Sequence, residues 1–329
     1  MSDKEKFSPL DVKKEALEAE ERIRPYILET PLEYSRYLSQ IGNCHVFLKL
    51  ENTQKTGSFK FRGAANMMLS LTKEEIERGV LTSSTGNHGA AFAEILEILG
   101  YKGTIYLPEN ATKAKVDVLR SYDVQLEFYG MDTVVTENFV RETAAKTNRI
   151  FIPPYNHPKI IGGQATIALE LKRQLDKLDA VLVPVGGGGL ASGIAGYLKS
   201  GNSDNEIEII GCQPEHSPVM FESVKAGRII EMESKPTLSD GTTGGIEAGS
   251  ITFDICRQTV DDYILISEQE IAGAIQLVLE QHYMVIEGAA ALSVASFIKV
   301  KERFRNKNVI LIITGKRITL DKLKKIICK

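Results

Sequence analysis

The feature that most constrains the fold is a regular alternation of short apolar runs with longer stretches that carry apolar residues at helical spacing. The runs are rich in β-branched residues and predict strands at 45–50, 80–83, 104–107, 125–129, 150–153, 180–185, 207–212 and 309–313. The stretches between them predict helices that include 90–99, 111–121, 165–175, 193–199 and 271–281. This order predicts an α/β protein with mostly parallel, twisted sheets flanked by helices.

The run at 180–185 is apolar on both faces, which is typical of the centre of a parallel sheet. Pro184 must lie near the end of that strand, because proline cannot donate to the ladder. The 329 residues contain no proline-rich linker and fit one large or two closely packed domains. We expect a large domain from 1–54 and 153–329 and a small mobile domain from 55–152. The polar, glycine-rich stretch 231–252 predicts a long loop close to a site.

Composition and charge exclude several classes of function. The net charge of −3, with basic residues spread along the chain, argues against a nucleic-acid partner. No apolar run approaches the ~20 residues that span a bilayer, and the charged first residues do not form a signal peptide, so we expect no membrane partner. The four cysteines lie far apart and lack metal-ligand spacing, which predicts reduced thiols, a cytoplasmic location and no metal site.

The first segment that carries chemistry contains Lys60, at a transition from strand to helix, between Phe59 and Phe61. Burial beside aromatic rings disfavours the ammonium form and lowers the pKa of the lysine, so that its amine becomes nucleophilic and can form an imine. Most lysines at such a turn are solvated surface residues, as Lys55 illustrates. This segment alone therefore leaves both interpretations open.

The second segment is Thr82-Ser-Ser-Thr-Gly-Asn-His-Gly89, between an apolar strand and an amphipathic helix. Small hydroxyl and glycine residues at a helix N-terminus leave backbone N–H groups free, and the helix dipole favours an anion there, such as a substrate carboxylate. The alternative is an ordinary helix cap, for which the same residue types are preferred. His88 alone is typical of a hydrogen-bonded polar residue.

The third segment is the run of four glycines from Gly186 to Gly189, directly after the buried strand. Consecutive glycines let backbone amides approach a phosphate, with the dipole of the next helix behind them. Because Gly186-x-Gly188-x-x-Ala191 also satisfies the dinucleotide fingerprint, a Rossmann-type nucleotide-binding protein is the alternative of a different class. Its acidic partner would be Glu206 or Glu208, although both lie at the start of a strand.

Taken together, Gly57-Ser-Phe-Lys60-Phe-Arg-Gly-Ala, Ser84-Thr-Gly-Asn-His-Gly and Gly186–Gly189 resemble the serine/threonine dehydratase and serine racemase family, which are pyridoxal-phosphate (PLP) enzymes of fold type II, similar to tryptophan synthase β. The order and spacing of the motifs are more specific than any one of them. Further matches are Gly162–Glu170, Ser239-Asp-Gly241, Ile286-Glu287-Gly-Ala-Ala and Thr314-Gly-Lys-Arg. The resemblance covers essentially the whole chain and implies two sheet-and-helix domains with PLP in the cleft between them.

The resemblance implies roles for individual residues toward PLP. Lys60 would form the Schiff base with the cofactor, Phe59 would pack beside its ring, and Gly186 to Gly189 would hold its phosphate. Asn87 should contact the phenolic oxygen, and the Thr314 hydroxyl should meet the pyridine nitrogen.

Other positions follow from the same resemblance. Glu287 is expected near the pyridine side of the ring, and the Gly241 backbone near the Schiff base. Thr85 stands where serine racemases have a serine and simple threonine dehydratases often an alanine, so it either acts as a second catalytic base or fills space. The implied substrate-binding residues are Ser84, Thr85, Asn87 and His88.

The activity that the resemblance implies is that of an ammonia-lyase, which converts L-threonine or L-serine to a 2-oxo acid and ammonia by α,β-elimination. A neutral Thr314 hydroxyl cannot stabilise a protonated pyridine as an aspartate would, which favours fast loss of the β-hydroxyl over prolonged carbanion chemistry. Serine racemase activity is an alternative on the same scaffold. Relatives usually form dimers or tetramers, and a homodimer acting on a small amino acid is the implied assembly.

Some motifs depart from the commoner family pattern. Thr314-Gly-Lys-Arg replaces Ser-Gly-Gly-Asn, and Glu287-Gly replaces Glu-Pro. Together with Pro153-Pro-Tyr-Asn-His-Pro158, these features are similar to the dehydratase branch assigned to hydroxyectoine utilisation. A hydroxyectoine-derived amino acid is therefore a further candidate substrate.

Overall fold

The computed structural model describes residues 7–201 and 206–328, and within them the chain forms two sheets flanked by helices. The strands are β1 (Leu32–Tyr34), β2 (His45–Lys49), β3 (Val80–Ser83), β4 (Gly103–Leu107), β5 (Gln125–Phe128), β6 (Ile150–Phe151), β7 (Ala180–Pro184), β8 (Glu208–Pro214), β9 (Asp262–Ile266) and β10 (Asn308–Ile312). The helices are α1 (Pro9–Ile23), α2 (Arg36–Gly42), α3 (Lys60–Leu69), α4 (Lys73–Glu77), α5 (Asn87–Leu99), α6 (Lys113–Arg120), α7 (Thr133–Thr147), α8 (Pro158–Gln174), α9 (Gly189–Leu198), α10 (Val219–Ala226), α11 (Ile251–Thr259), α12 (Glu268–His282), α13 (Gly288–Val300) and α14 (Leu320–Ile327).

The larger sheet has the strand order β1-β2-β10-β7-β8-β9, and only the β1–β2 pair is antiparallel. Every residue of β7 is buried, as expected for a central parallel strand covered by helices on both faces. Pro184 is the last residue of β7, which confirms its expected place. The smaller sheet has the order β5-β4-β3-β6 and is parallel throughout. The predicted α/β class with mostly parallel sheets is confirmed.

Three sequence predictions differ from the structure. β1 and β9 were not among the predicted strands; both lie at the edges of the larger sheet, and their residues are largely half-buried or exposed, so their apolar pattern is weak. The predicted strand 150–153 ends at Phe151, because Pro153 and Pro154 cannot extend a ladder. The loop prediction for 231–252 is correct except that it contains a short 3-10 helix, Asp240–Thr242, and that α11 begins at Ile251.

The sheets bring the predicted motifs to the carboxyl ends of parallel strands. β3 leads to Asn87, β7 leads to the four glycines and β10 leads to Thr314. In open α/β sheets, ligands bind in the crevice outside the carboxyl ends of the strands. None of the helices in the described ranges is long and apolar enough to cross a membrane.

Candidate active site

Lys60 is the first residue of α3, which follows β2 along the chain. Its Nζ atom donates a 2.7 Å hydrogen bond to the carbonyl oxygen of Pro154 and lies 5.3 Å from the centroid of the Phe59 ring. The residue keeps some solvent exposure, but desolvation by the surrounding protein lowers the pKa of its amine to about 8, against the charges of Glu137 and Glu287. The amine is still mostly protonated at neutral pH, but its neutral, nucleophilic fraction is far larger than that of an ordinary lysine, whose pKa is 10.5.

Asn87, Glu287 and Thr314 form a hydrogen-bonded group. The Asn87 Nδ2 atom lies 3.1 and 2.8 Å from the two carboxylate oxygens of Glu287, and the Thr314 hydroxyl donates to Glu287 Oε1 at 3.3 Å. Burial, together with the charge of Asp240, raises the pKa of Glu287 to about 7, against the hydrogen bonds from Asn87 and Thr314. A Cβ at Gly315 would lie 2.6 Å from Glu287 Oε1, so this carboxylate needs a glycine beside it.

The segment before Lys60 is joined directly to the segment after β10. The Phe59 amide donates to the carbonyl oxygen of Thr314 at 3.1 Å, and Ser58 forms an antiparallel bridge with Gly315. Lys60 therefore lies close to the group around Glu287, and we call Lys60, Asn87, Glu287 and Thr314 the Lys60 cluster.

The four glycines form a turn that side chains could not occupy. Gly188 has a φ of 86° and caps α9, while Gly189 is the first residue of that helix. A Cβ at Gly187 would lie 2.7 Å from the ring of Tyr155, and one at Gly186 would lie 2.9 Å from the Cα atom of Thr242. The backbone amides of this turn lie at a helix N-terminus, where the dipole favours an anion. The geometry fits the predicted phosphate site.

Residues 154 and 155 connect this turn to the lysine. Pro154 accepts the hydrogen bond from Lys60, while the ring of Tyr155 lies against Gly187 and its hydroxyl accepts a 3.0 Å hydrogen bond from the Glu247 amide. Gly241 belongs to the 3-10 helix next to Thr242, and a Cβ there would lie 3.4 Å from the Cβ of Ala289 in α13. The loop 231–252 thus contacts both the glycine turn and α13.

The segment from Ser84 to His88 forms a bend that leads into α5. The Ser84 hydroxyl accepts a 3.2 Å hydrogen bond from the Gly86 amide, and Thr85 is half-buried between them. The described residues include no hydrogen bond that joins Thr85 to the Lys60 cluster. His88 is buried, its Nε2 atom lies 3.1 Å from the carbonyl oxygen of Ile152, and burial lowers its pKa to about 3. His88 is therefore neutral at physiological pH.

A second buried group of charges was missed in the sequence, and we call Arg62, Glu51, Glu170 and Lys49 the Arg62 cluster. The fully buried Arg62 guanidinium donates to both carboxylate oxygens of Glu51 at 2.8 Å, and to those of Glu170 at 2.7 and 2.8 Å. Lys49 donates to Glu170 at 2.5 Å and to the carbonyl oxygen of Thr30 at 2.8 Å. The available signal was a charged residue in the middle of apolar positions, at Arg62 in α3 and at Glu170 in α8.

The dinucleotide alternative fails on the position of its acidic partner. Glu206 precedes β8, and Glu208 is the first residue of that strand and forms ion pairs with Arg303 and Lys307. β8 runs parallel to β7, so Glu208 lies at the opposite edge of the sheet from the glycine turn. It cannot bind a ribose held near those glycines.

A family model described as pyridoxal-phosphate dependent enzyme matches residues 23–315, so the chain belongs to the pyridoxal-phosphate-dependent enzymes. It is 38% identical over 312 residues to an L-threonine ammonia-lyase from Thermotoga maritima, which covers 95% of this chain and 77% of that protein. Threonine deaminase isoform 2 from Solanum lycopersicum has a similar structure, with a TM-score of 0.91, 30% identity and coverage of 97% of this chain and 92% of that one. Serine racemase from Dictyostelium discoideum is similar with a TM-score of 0.85, 33% identity and coverage of 93% and 98%.

The residues present fit the chemistry of PLP, which offers an aldehyde, a ring with a nitrogen and a phenolic oxygen, and a phosphate. An amine with a lowered pKa suits the aldehyde, and the glycine turn at the start of α9 suits the phosphate. Among the described residues, the buried Oδ1 atom of Asn87 and the buried hydroxyls of Ser58 and Ser83 have no hydrogen-bond partner. Buried polar atoms normally have partners, so these are open to a polar ligand.

Proposed function

We propose that this protein is a PLP-dependent ammonia-lyase that converts a β-hydroxy amino acid, L-threonine or L-serine, to a 2-oxo acid and ammonia. The observation that carries the proposal is the Lys60 amine, whose pKa is lowered to about 8 and which lies close to Glu287 and Thr314. The similarity to an L-threonine ammonia-lyase over 95% of the chain supports the choice of reaction.

Lys60 has two roles in this proposal. PLP, when bound, supplies an electron sink that stabilises negative charge at the α-carbon of the substrate. Lys60 would hold the cofactor and, as a free amine, would accept the α-proton of the substrate, for which a pKa near the working pH is suitable. The Pro154 carbonyl keeps the released amine in place through their 2.7 Å hydrogen bond.

The other residues of the site bind and orient. Gly186 to Gly189 would hold the phosphate, Phe59 would pack beside the ring, and the Gly241 backbone would lie near Lys60. As the resemblance implies, Asn87 would contact the phenolic oxygen of the ring and Thr314 its nitrogen. Ser84 and Asn87, with the backbone amide of His88, would bind the substrate carboxylate at the start of α5, whose dipole favours an anion; the His88 side chain is buried on the Ile152 carbonyl and would not reach it.

Racemisation of serine is the second candidate activity, which the similarity to a serine racemase at 33% identity supports. Thr85, which is half-buried in the bend before α5, would then be the second base, because the resemblance places it where serine racemases have their serine. A dehydratase for a hydroxyectoine-derived amino acid remains a candidate on the motifs at Thr314 and Pro153.

The proposed organisation has a small mobile domain, 55–152, and a large domain, 1–54 and 153–329. The four-stranded sheet is built from residues 80–151 and the six-stranded sheet from 32–49 and 180–312, which supports this division. We also propose that the enzyme is a cytoplasmic homodimer: the free thiols of Cys44, Cys212, Cys256 and Cys328 suit a reducing compartment, and the resemblance to the family implies a homodimer. Light scattering of the purified protein tests the dimer.

Borohydride trapping tests the proposed function. The holoenzyme is reduced and digested, and the modified peptide is mapped; modification at Lys60 is the expected result. Lys60→Ala should lose both the modification and the production of 2-oxo acid, whereas Lys55→Ala, a matched change at an exposed lysine near the ring of Phe61, should retain both. Modification at another lysine contradicts the proposal. Incubation with L-threonine, L-serine and hydroxyectoine-derived amino acids, followed by 2-oxo acid and chiral analysis, identifies the substrate and the racemase fraction.

A further inference from the structure

The hydrogen bond between Thr314 and Glu287 allows the Thr314 hydroxyl to act either as a donor or as an acceptor toward a third group. The Thr314 hydroxyl has one hydrogen, which is directed to Glu287 Oε1 at 3.3 Å. Glu287 is buried and also lies within 2.8 Å of Asn87 Nδ2. Its carboxylate therefore contacts two residues to which the proposed function gives contacts with the cofactor ring.

We propose that Glu287 and Thr314 form one proton-holding pair, in which the charge state of Glu287 decides whether the Thr314 hydroxyl donates or accepts a hydrogen bond on its side toward the ring nitrogen. This inference rests on the proposed function, which places Thr314 beside that nitrogen. Glu287 acts through Thr314 and is therefore a positioning residue.

The two roles follow from counting hydrogens. When Glu287 is ionised it can only accept, so the hydroxyl hydrogen of Thr314 points to it and only an oxygen lone pair is left for the ring. When Glu287 is protonated it donates to Thr314, whose own hydrogen is then free to bind an unprotonated nitrogen. Thr314 can therefore donate a hydrogen bond to the ring nitrogen only while Glu287 is protonated. Thr314 is therefore not the fixed neutral partner that the sequence alone predicts.

The charged groups that face Glu287 decide when the pair changes state. Burial is the largest influence and disfavours the carboxylate, as does Asp240 in the 3-10 helix. The opposing groups are the Asn87 amide of α5, the Thr314 hydroxyl, the Arg317 backbone after β10, and the charge of Lys60 in α3. Asp240 is itself paired with Lys115 of α6 and Lys322 of α14. The net pKa of about 7 places the change within the physiological range.

The test uses holoenzyme reconstituted with cofactor that is ¹⁵N-labelled at the ring nitrogen, whose NMR shift is followed from acid to alkaline pH. The wild-type shift should move toward that of free, unprotonated pyridine as the pH rises, with a midpoint near 7. Glu287→Gln should lose this pH-dependent step, because an amide cannot release the proton. Thr314→Val, which keeps Glu287 but has no hydroxyl, should lose it as well. Asp240→Asn, the matched change of a neighbouring carboxylate without a bond to Thr314, should keep the step at a lower midpoint.

A wild-type ring shift that does not change with pH overturns the proposal, as does a Glu287→Gln or Thr314→Val enzyme that titrates like the wild type. Borohydride mapping on the same samples separates this failure from failure of the proposed function. If Lys60 carries the cofactor and the ring nitrogen does not titrate, only the Glu287–Thr314 pair is wrong.

Discussion

Lys60 and Arg62 lie two residues apart in α3, but burial has different effects on the pKa values of the carboxylates in their two clusters. In the Arg62 cluster, burial alone would raise the pKa of Glu170, but Arg62 and Lys49 outweigh it and the pKa falls to about 2. In the Lys60 cluster, the hydrogen bonds of Glu287 do not outweigh its burial, and its pKa rises to about 7. Both carboxylates are buried and both are hydrogen-bonded. The difference is that Glu170 accepts hydrogen bonds from three cationic side chains, Arg62, Lys49 and Arg24, whereas Asn87 and Thr314, which donate to Glu287, are neutral.

The comparison shows how one helix can contribute to stability and to chemistry. The Arg62 cluster links β2, α3 and α8 through ion pairs, and Arg62 and Lys49 keep Glu170 ionised at neutral pH, while burial lowers the pKa of Lys49 despite Glu51 and Glu170. The Lys60 cluster keeps groups whose pKa lies near the working pH, which is what proton transfer requires. Incomplete charge compensation therefore marks the reactive side of α3.

The largest expected effect is that of Lys60→Met on activity. Turnover should fall by at least about 10³-fold, because the residue both holds the cofactor and transfers a proton. The thermal unfolding midpoint of the apoprotein should stay the same or rise, since the change removes a poorly compensated amine. Lys55→Met should leave both quantities unchanged. If the Lys60→Met enzyme stayed active, the Lys60 cluster would not be the reactive one of the two.

Arg62→Met should affect stability most. The change leaves Glu51 and Glu170 buried without their main partner, and loss of one member of a buried ion pair typically costs about 3–5 kcal/mol. Denaturant unfolding of the apoprotein measures the free energy. Arg24→Met is the matched control, because Arg24 also pairs with Glu170 but its side chain is 30% exposed, so the expected loss is smaller. Equal losses in the two variants would contradict a special role for the buried guanidinium.

Acid should weaken the Arg62 cluster through Glu170. Its pKa is lowered from 4.5 to about 2, so its stabilising contribution is complete above about pH 4.5 and is lost as the pH falls toward 2. The shift corresponds to about 3 kcal/mol. The difference in unfolding free energy between wild type and Glu170→Gln should shrink over this range. A constant difference would show that Glu170 is not held ionised by its partners.

Glu287 should give the opposite pH dependence. Its pKa is raised from 4.5 to about 7, so its contribution is most favourable below about pH 4.5 and is lost as the pH rises through 7. Glu287→Gln should therefore gain up to about 3 kcal/mol of stability relative to the wild-type apoprotein between these pH values. Unfolding curves at a series of pH values measure this gain in stability. If Glu287→Gln showed no gain, hydrogen bonds and charges would offset the burial of the Glu287 carboxylate.

Much of the fold was predictable because its strands are continuous apolar runs. β7 and β10 are almost entirely buried, so their residues alone identify them, whereas β1 and β9 depend on pairing with distant strands. The motifs could be placed at strand ends in the same way, because a parallel sheet brings those ends together.

The contacts between motifs could not be predicted from the sequence. Arg62 meets Glu51 and Glu170, which lie 11 and 108 residues away, and nothing local distinguishes a paired glutamate from an unpaired one. The raised pKa of Glu287 depends on its burial beside two neutral donors, Asn87 and Thr314, which the start of α5 and the end of β10 bring to it. Tyr155 was part of a recognised motif, but its contact with Gly187 depends on the conformation of the glycine turn.

The smallest expected effect concerns His88, which belongs to neither cluster but lies one residue after Asn87. Its pKa is lowered to about 3 by burial and by the charge of Lys60, so it stays neutral over the range in which Lys60 and Glu287 titrate. His88→Gln keeps a donor that can reach the Ile152 carbonyl, which also accepts a 2.8 Å hydrogen bond from Thr82. Stability should change by no more than about 1 kcal/mol, and the pH profile of kcat should keep its shape. If one limb of that pH profile were lost or shifted, His88 would be a group that titrates during the reaction. It would then belong with the reactive residues of the Lys60 cluster.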